Sequence, residues 1–200
     1  MHIYCEGEKT EPNYLNGYLA EIKDGSLRSV ITIEPTRKNT PVQLVEVAIE
    51  HMRSPATPKG DEFWVVYDRE AVAKYPDDLH DRAFVMARNN NINIALSNIC
   101  FEQWILMHFS DSSAAYPCYN DLIRDSQLKA IFRRETGKDY EKAYTSIYTL
   151  LAGRVGDACK RAEKLNSAAI ASARPGRNRP HHLSPYTDVP KLLKAIDDFN

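Results

Sequence analysis

The run Glu62-Phe63-Trp64-Val65-Val66-Tyr67-Asp68 constrains the fold of this chain more than any other stretch. It is near-continuously apolar, too short for a buried helix, and closed by an acid. That pattern is expected of a strand covered on both faces, and such strands belong to parallel sheets. The flanking sequence agrees. Ile3 to Cys5 is a short strand, with little room between Met1 and Glu6. From Glu11 to Ile22 the residues Tyr14, Leu15, Tyr18, Leu19 and Ile22 recur at three and four, the period of one helix face. "SVITIEP", from Ser29 to Pro35, reads as a second strand ended by proline. Thr40 and Pro41 form a cap and first position for "TPVQLVEVAIEHM". A helix from Asp77 to Arg88 and a fourth strand, "NINIALSN", complete a β-α-β-α-β-α-β series with short connections. The expected fold class is α/β: a small parallel sheet with helices on both faces.

Beyond Ser97-Asn98 the pattern changes. "CFEQWILMHF" is a strongly apolar helix that Ser97-Asn98 would cap. Helical segments are expected over Tyr119 to Phe132, Tyr140 to Leu151 and Arg154 to Ala173, then a loop and a last helix, "VPKLLKAIDDFN". Phe101 and Trp104 read as core, and His108 as a satisfied helix histidine. The expected layout is an α/β domain over 1–109 and an all-helical extension over 110–200, packed as one structural unit. No internal repeat or low-complexity tract interrupts it.

Composition narrows the function classes. Hydrophobic residues make up 43% and charged residues 26% of 200 residues, the balance of a globular chain. A net charge of −1 provides no global field, so nucleic-acid binding would rest on a local basic patch. Cys5, Cys100, Cys118 and Cys159 include no CxxC pair, which argues against a zinc site and a disulfide framework and suits a reducing cytoplasm. No apolar run reaches membrane-span length, and the N-terminus has no charged-then-apolar signal pattern. A cytoplasmic protein with no membrane partner is the expectation.

Ligands of open parallel sheets collect outside the carboxyl ends of the strands. Two strands end in acids there: Glu6 after the first, and Asp68 with Glu70 after the third. In extended backbone Asp68 and Glu70 would point to one side and Arg69 to the other, toward a structural salt bridge. Three converging carboxylates repel unless a cation sits among them, and hard oxygen ligands suit Mg²⁺ or Mn²⁺. Helix capping is the plain alternative for acids at strand ends.

The motifs "CEGEKTEPNYL", "VVYDRE", "SNICFEQWILMHF" and "SPYTDV" together resemble the RloB-like family, within the Toprim-like group, over nearly the whole chain. The resemblance implies a Toprim-like fold and metal-dependent nuclease activity. It puts the Toprim glutamate on Glu6 and the acidic pair on Asp68 and Glu70, as metal ligands and catalytic groups. Toprim proteins usually carry Asp at the second position of the pair, and the longer Glu70 would shift the ion. The resemblance also implies association with restriction and phage-defence loci, commonly beside an ABC-type ATPase. The alternative is a non-catalytic subunit that binds the ATPase or nucleic acid, and neither reading separates DNA from RNA.

Around that edge, Lys9 is either a point charge for a phosphate or a solvated loop lysine. Thr10 is placed to cap the first helix, with Glu11 in its first turn favouring the dipole. Glu102 falls in the first turns of its helix, facing the same edge as a metal-shell or substrate residue, or serves the helix alone. Further along, Arg174, Arg177 and Arg179 lie in the loop "RPGRNRPHHLSPYTD" and either hold nucleic-acid phosphates or are merely solvated. Thr187 or Asp188 is placed to cap the last helix, and Tyr186 and Thr187 to close over the sheet edge.

Overall fold

The structure, a computed structural model, describes residues 1–22 and 30–199. Ser29, where the second strand was expected to begin, lies outside the described residues. Among the described residues, five strands form one sheet: β1 (His2–Cys5), β2 (Thr32–Glu34), β3 (Phe63–Asp68), β4 (Ile92–Asn98) and β5 (Tyr186–Thr187), in the order β2-β1-β3-β4-β5. The first four are parallel, and β1 lies beside β3, with Cys5 opposite Val66. β5 pairs antiparallel to β4 through Ser97↔Thr187 and Asn98↔Tyr186. The sheet is therefore mixed, and its last strand comes from the segment expected to be all-helical.

Strand alternation divides the core. Ile3, Cys5, Trp64, Val66 and Ala95 point to one face, and Tyr4, Phe63, Val65, Tyr67 and Leu96 to the other. The second face is covered by α2 (Pro41–Met52) and α3 (Asp77–Asn89). Thr40 caps α2 as expected, its hydroxyl accepting from Gln43 N at 3.4 Å. The first face carries α1 (Thr10–Glu21), α4 (Glu102–Met107) and the extension: α5 (Tyr119–Asp125), α6 (Leu128–Thr136), α7 (Ile147–Leu151), α8 (Val155–Ala171) and α9 (Val189–Asp197). The extension therefore shares the hydrophobic core of the sheet.

The structure corrects several local expectations. Ser97 and Asn98 do not cap α4. Ser97 Oγ meets Thr187 Oγ1 at 3.0 Å and Asn98 Nδ2 donates to Leu183 O at 2.6 Å, so both hold the returning β5 segment. Thr10 does not cap α1 either; its hydroxyl accepts from Ala143 N at 3.2 Å. The expected helix Tyr119–Phe132 is broken at Ser126, which turns extended, and its hydroxyl accepts the Leu128 N–H. From Tyr140 to Ser146 the chain is loop rather than helix, with Ala143 in the left-handed region at φ 77°, which interrupts helical hydrogen bonding. That loop is what the extension brings back to the sheet edge.

Candidate functional site

Alternation along β3 sends Trp64, Val66 and then Asp68 toward α1 and α4. Asp68 thus ends a fully buried strand and stays 7% exposed. It opens onto a cavity of about 460 Å³ whose lining includes Glu6, Glu11, Asp68, Glu70, Lys74 and Lys142. Exposed Lys9 also lines it. The strand-end acids from β1 and β3 therefore share one concavity.

Each acid is held differently. Glu6 Oε2 accepts from the Asp68 backbone N–H at 2.9 Å, and Oε1 from the Tyr75 hydroxyl at 3.0 Å. Burial pushes its carboxyl up to about 7, against these two hydrogen bonds that favour the charged form. Asp68 is pushed well above the usual carboxylate range, first by burial and then by the charges of Glu11, Glu6, Glu102 and Glu70. Among the described residues no group donates a side-chain hydrogen bond or ion pair to its carboxylate.

Glu70 reaches the cavity by a different route from the one expected. Its φ is 56°, so the alternation of extended backbone does not apply to it. The left-handed turn sends its carboxylate to Lys74 Nζ at 2.7 Å. Arg69 does turn away into a structural role. Its guanidinium donates to His181 O at 3.0 Å and Tyr75 O at 2.7 Å, and pairs with Asp77 at 2.7 Å.

The position of Glu11 in the sequence predicts a helix-dipole role, yet it is buried and lines the cavity. Burial raises its carboxyl, while the N–H groups of Glu11 itself and of Gly7 oppose the shift. Glu102, 1% exposed, accepts from the Tyr140 hydroxyl at 2.8 Å through Oε1, and its Oε2 has no hydrogen-bond partner. The extension contributes Lys142 as well. Burial works against its ammonium, but the charges of Glu102, Asp68 and Glu11 outweigh that and hold its pKa above the ordinary lysine value. Tyr75, Tyr140 and Lys142 were missed in the sequence, because no motif ties them to residues so far away along the chain.

Five carboxylates thus act on one another with Lys9, Lys74 and Lys142 nearby. In a low-dielectric site this excess of negative charge, with an unpartnered Asp68 and Glu102 Oε2, fits a hard divalent cation. The oxygen donors that line the cavity are of the kind that suits Mg²⁺ or Mn²⁺.

The other expected binding residues lie elsewhere. Arg177 pairs with Asp77 at 2.8 Å and Arg179 with Asp81, both on α3, whereas no acid among the described residues pairs with exposed Arg174. His108 is satisfied in the core by Tyr14 OH at 3.0 Å and Trp104 O at 3.1 Å. Two compact donor groups occur among the described residues, His2/Glu34/His51 and Asp77/His181/His182, each with donor atoms within 4.8 Å of one another. Neither includes the cavity carboxylates. Asp77 of the second group already carries the guanidiniums of Arg69 and Arg177. No described helix is long and apolar enough to cross a membrane.

The family model described as RloB-like protein matches residues 1–196, so the chain belongs to the RloB-like family. No curated protein and no solved structure matches it.

Proposed function

We propose that this RloB-like protein is a Mg²⁺- or Mn²⁺-dependent nuclease of Toprim type, acting in phage defence with an ABC-type ATPase. The observation that carries the reading is Asp68: a buried carboxylate among four others, with no direct hydrogen bond or ion pair to its oxygens among the described residues. Glu6, Asp68 and Glu70 would hold the ion, which when bound supplies polarisation of a phosphodiester and neutralisation of charge on the leaving oxygen.

The protein's own groups do the positioning. The Asp68 N–H and the Tyr75 hydroxyl fix both oxygens of Glu6, so its orientation does not depend on solvent. In this reading Glu6 takes or returns a proton at the reacting water. Lys9 and Lys142, at the rim, offer cations to the non-bridging oxygens of a phosphate. Burial of Asp68 and Glu102 keeps bulk water from screening these charges.

The test is cleavage of DNA and RNA by the purified protein, with and without the ATPase, in Mg²⁺ or Mn²⁺. Asp68→Asn and Glu6→Gln should each abolish cleavage while leaving the fold intact. Undiminished cleavage by both variants would move the chemistry elsewhere. A second reading, a non-catalytic partner-binding subunit, is favoured by Lys74 on Glu70 and Lys142 beside Glu102, which neutralise part of the cluster without an ion. It gains if wild type and variants alike cut nothing while still binding the ATPase.

A further inference from the structure

The His2/Glu34/His51 group is separate from the carboxylate cavity. His2 opens β1, Glu34 closes β2, and His51 lies in the last turn of α2. In the parallel register His2 pairs with Thr32 and Tyr4 with Glu34, so His2, Tyr4 and Glu34 share the face that α2 covers. His2 Nδ1 is 2.7 Å from Glu34 Oε1, and its Nε2 is 2.8 Å from Asp61 Oδ2. The His51 ring stands edge-on to His2 with centroids 4.4 Å apart, and its Nδ1 meets the Tyr4 hydroxyl. No lysine or arginine among the described residues pairs with Glu34 or Asp61. The α-amino group of Met1 senses these acids but is hydrogen-bonded to Val30 O at 2.8 Å.

We propose that His2, Glu34 and His51 form a binding site for a borderline transition-metal cation of the Zn²⁺ class, with Asp61 orienting His2 from behind. An Nε2–H donated to Asp61 leaves the Nδ1 lone pair of His2 directed toward Glu34, the carboxylate–histidine–metal arrangement that fixes tautomer and ring orientation. Donation of Nδ1–H from His51 to Tyr4 likewise leaves its Nε2, which has no hydrogen-bond partner among the described residues, free to ligate. Two imidazoles and one carboxylate suit Zn²⁺, whereas the all-oxygen cavity suits Mg²⁺. The two sites therefore select different ions.

The ion would have a structural use. β2 is three residues long and sits at the sheet edge, so few ladder hydrogen bonds hold it. A metal shared by Glu34, His2 and His51 ties that strand to β1 and to the end of α2. The competing arrangement is an imidazolium at His2 bridging Glu34 and Asp61, which gives His51 no part.

The test uses untagged, metal-stripped full-length protein in excess Mg²⁺, titrated with Co²⁺ by visible absorption and with Zn²⁺ by calorimetry. The expected result is one equivalent of Co²⁺ with ligand-field bands, displaced by Zn²⁺. It should be lost in His51→Ala, retained in Asp68→Asn, and weakened about 10- to 100-fold in Asp61→Asn. Circular dichroism checks that His51→Ala is folded; if it is not, Glu34→Gln, which keeps size, takes its place. Absence of the Co²⁺ bands from wild type overturns the site. So does an equivalent that survives both His51→Ala and Glu34→Gln, or one that disappears with Asp68→Asn.

Discussion

Gly7 and Glu11 occupy one another's space: a Cβ built on Gly7 would stand 2.1 Å from Glu11 Oε2. The glycine after Glu6 thus makes room for a carboxylate from the first turn of α1. Glu11 is the flexible end of a side chain, so Gly7→Ala should move the carboxylate rather than unfold the protein. We expect a thermal midpoint near that of wild type, with Mn²⁺ affinity and any cleavage reduced about 10- to 100-fold, as when a ligand-supporting group is lost. Unchanged Mn²⁺ affinity by calorimetry would remove Glu11 from the site.

Asp68→Asn should stabilise the metal-free protein. The wild-type carboxyl is buried among four others, so ionising it near neutral pH works against the fold. Relief of a strained functional site is commonly worth about 0.5–2 kcal/mol, and about 2–4 °C per kcal/mol is expected at this size. The midpoint in EDTA at pH 8 should therefore rise by a few degrees. Addition of Mg²⁺ should raise the wild-type midpoint and leave that of Asp68→Asn nearly unmoved.

The fold was legible where apolar pattern and strand-end chemistry coincide, and illegible where contacts are made at long range. Trp64, Val65 and Val66 announce a strand covered on both faces because neither parity of the strand is polar. Glu6 and Asp68 fall at strand ends, so neighbouring parallel strands bring them to one edge. β5 is only Tyr186–Thr187, too short to show alternation, and it exists because Ser97 and Asn98 hold it. Glu11 lies four residues beyond Gly7 on a helix start, where a capping or dipole role explains an acid equally well. Lys142 lies on a loop held to α1 by the Thr10–Ala143 hydrogen bond, which spans 133 positions, and by Asn13.

The packing of the extension on α1 gives a further expectation. Gly17 lies against α7, and a Cβ there would come within 2.4 Å of Tyr148 Cβ. Alanine would gain about 1 kcal/mol of helix propensity, but overpacking costs about 1–3 kcal/mol, and Tyr148 Cβ is too close to its backbone to yield. Gly17→Ala should therefore be net destabilising in urea unfolding, whereas Gly153→Ala, with open space around its Cβ, should not be.

His108 and Glu6 contribute opposite pH dependences to the stability of the metal-free protein. Burial, foremost, lowers His108 to about 4, so between about 6.5 and 4 the unfolded chain binds more protons at this site. Its contribution is full above about 6.5 and is lost as pH falls through 4. Glu6 is raised to about 7, so its contribution is present below about 4.5 and is lost as pH rises through 7. Urea midpoints should peak at weakly acidic pH. Glu6→Gln should flatten the alkaline limb and His108→Gln the acid limb; limbs of unchanged slope would contradict the assignment.

The basic loop yields the last expectation. If all three arginines met phosphates, replacing them with alanine would flatten the dependence of log affinity on log salt by about 0.7–0.9 for each. Arg177 and Arg179 are already engaged by Asp77 and Asp81 on α3, and Asp77 is in turn held by Arg69, next to Asp68. Exposed pairs of this kind contribute about 0–1 kcal/mol, but they compete with a phosphate for the same guanidinium. Arg174 has no such competitor among the described residues. The triple variant should therefore lose the slope of about one contact, and Arg174→Ala alone should reproduce most of it, equally for every nucleic-acid sequence, because phosphate contacts position without reading bases. Binding at several salt concentrations measures this directly. A slope change of about three contacts would mean that nucleic acid strips both arginines from α3. Parallel plots would leave the loop as a brace for that helix and for Arg69 beneath it.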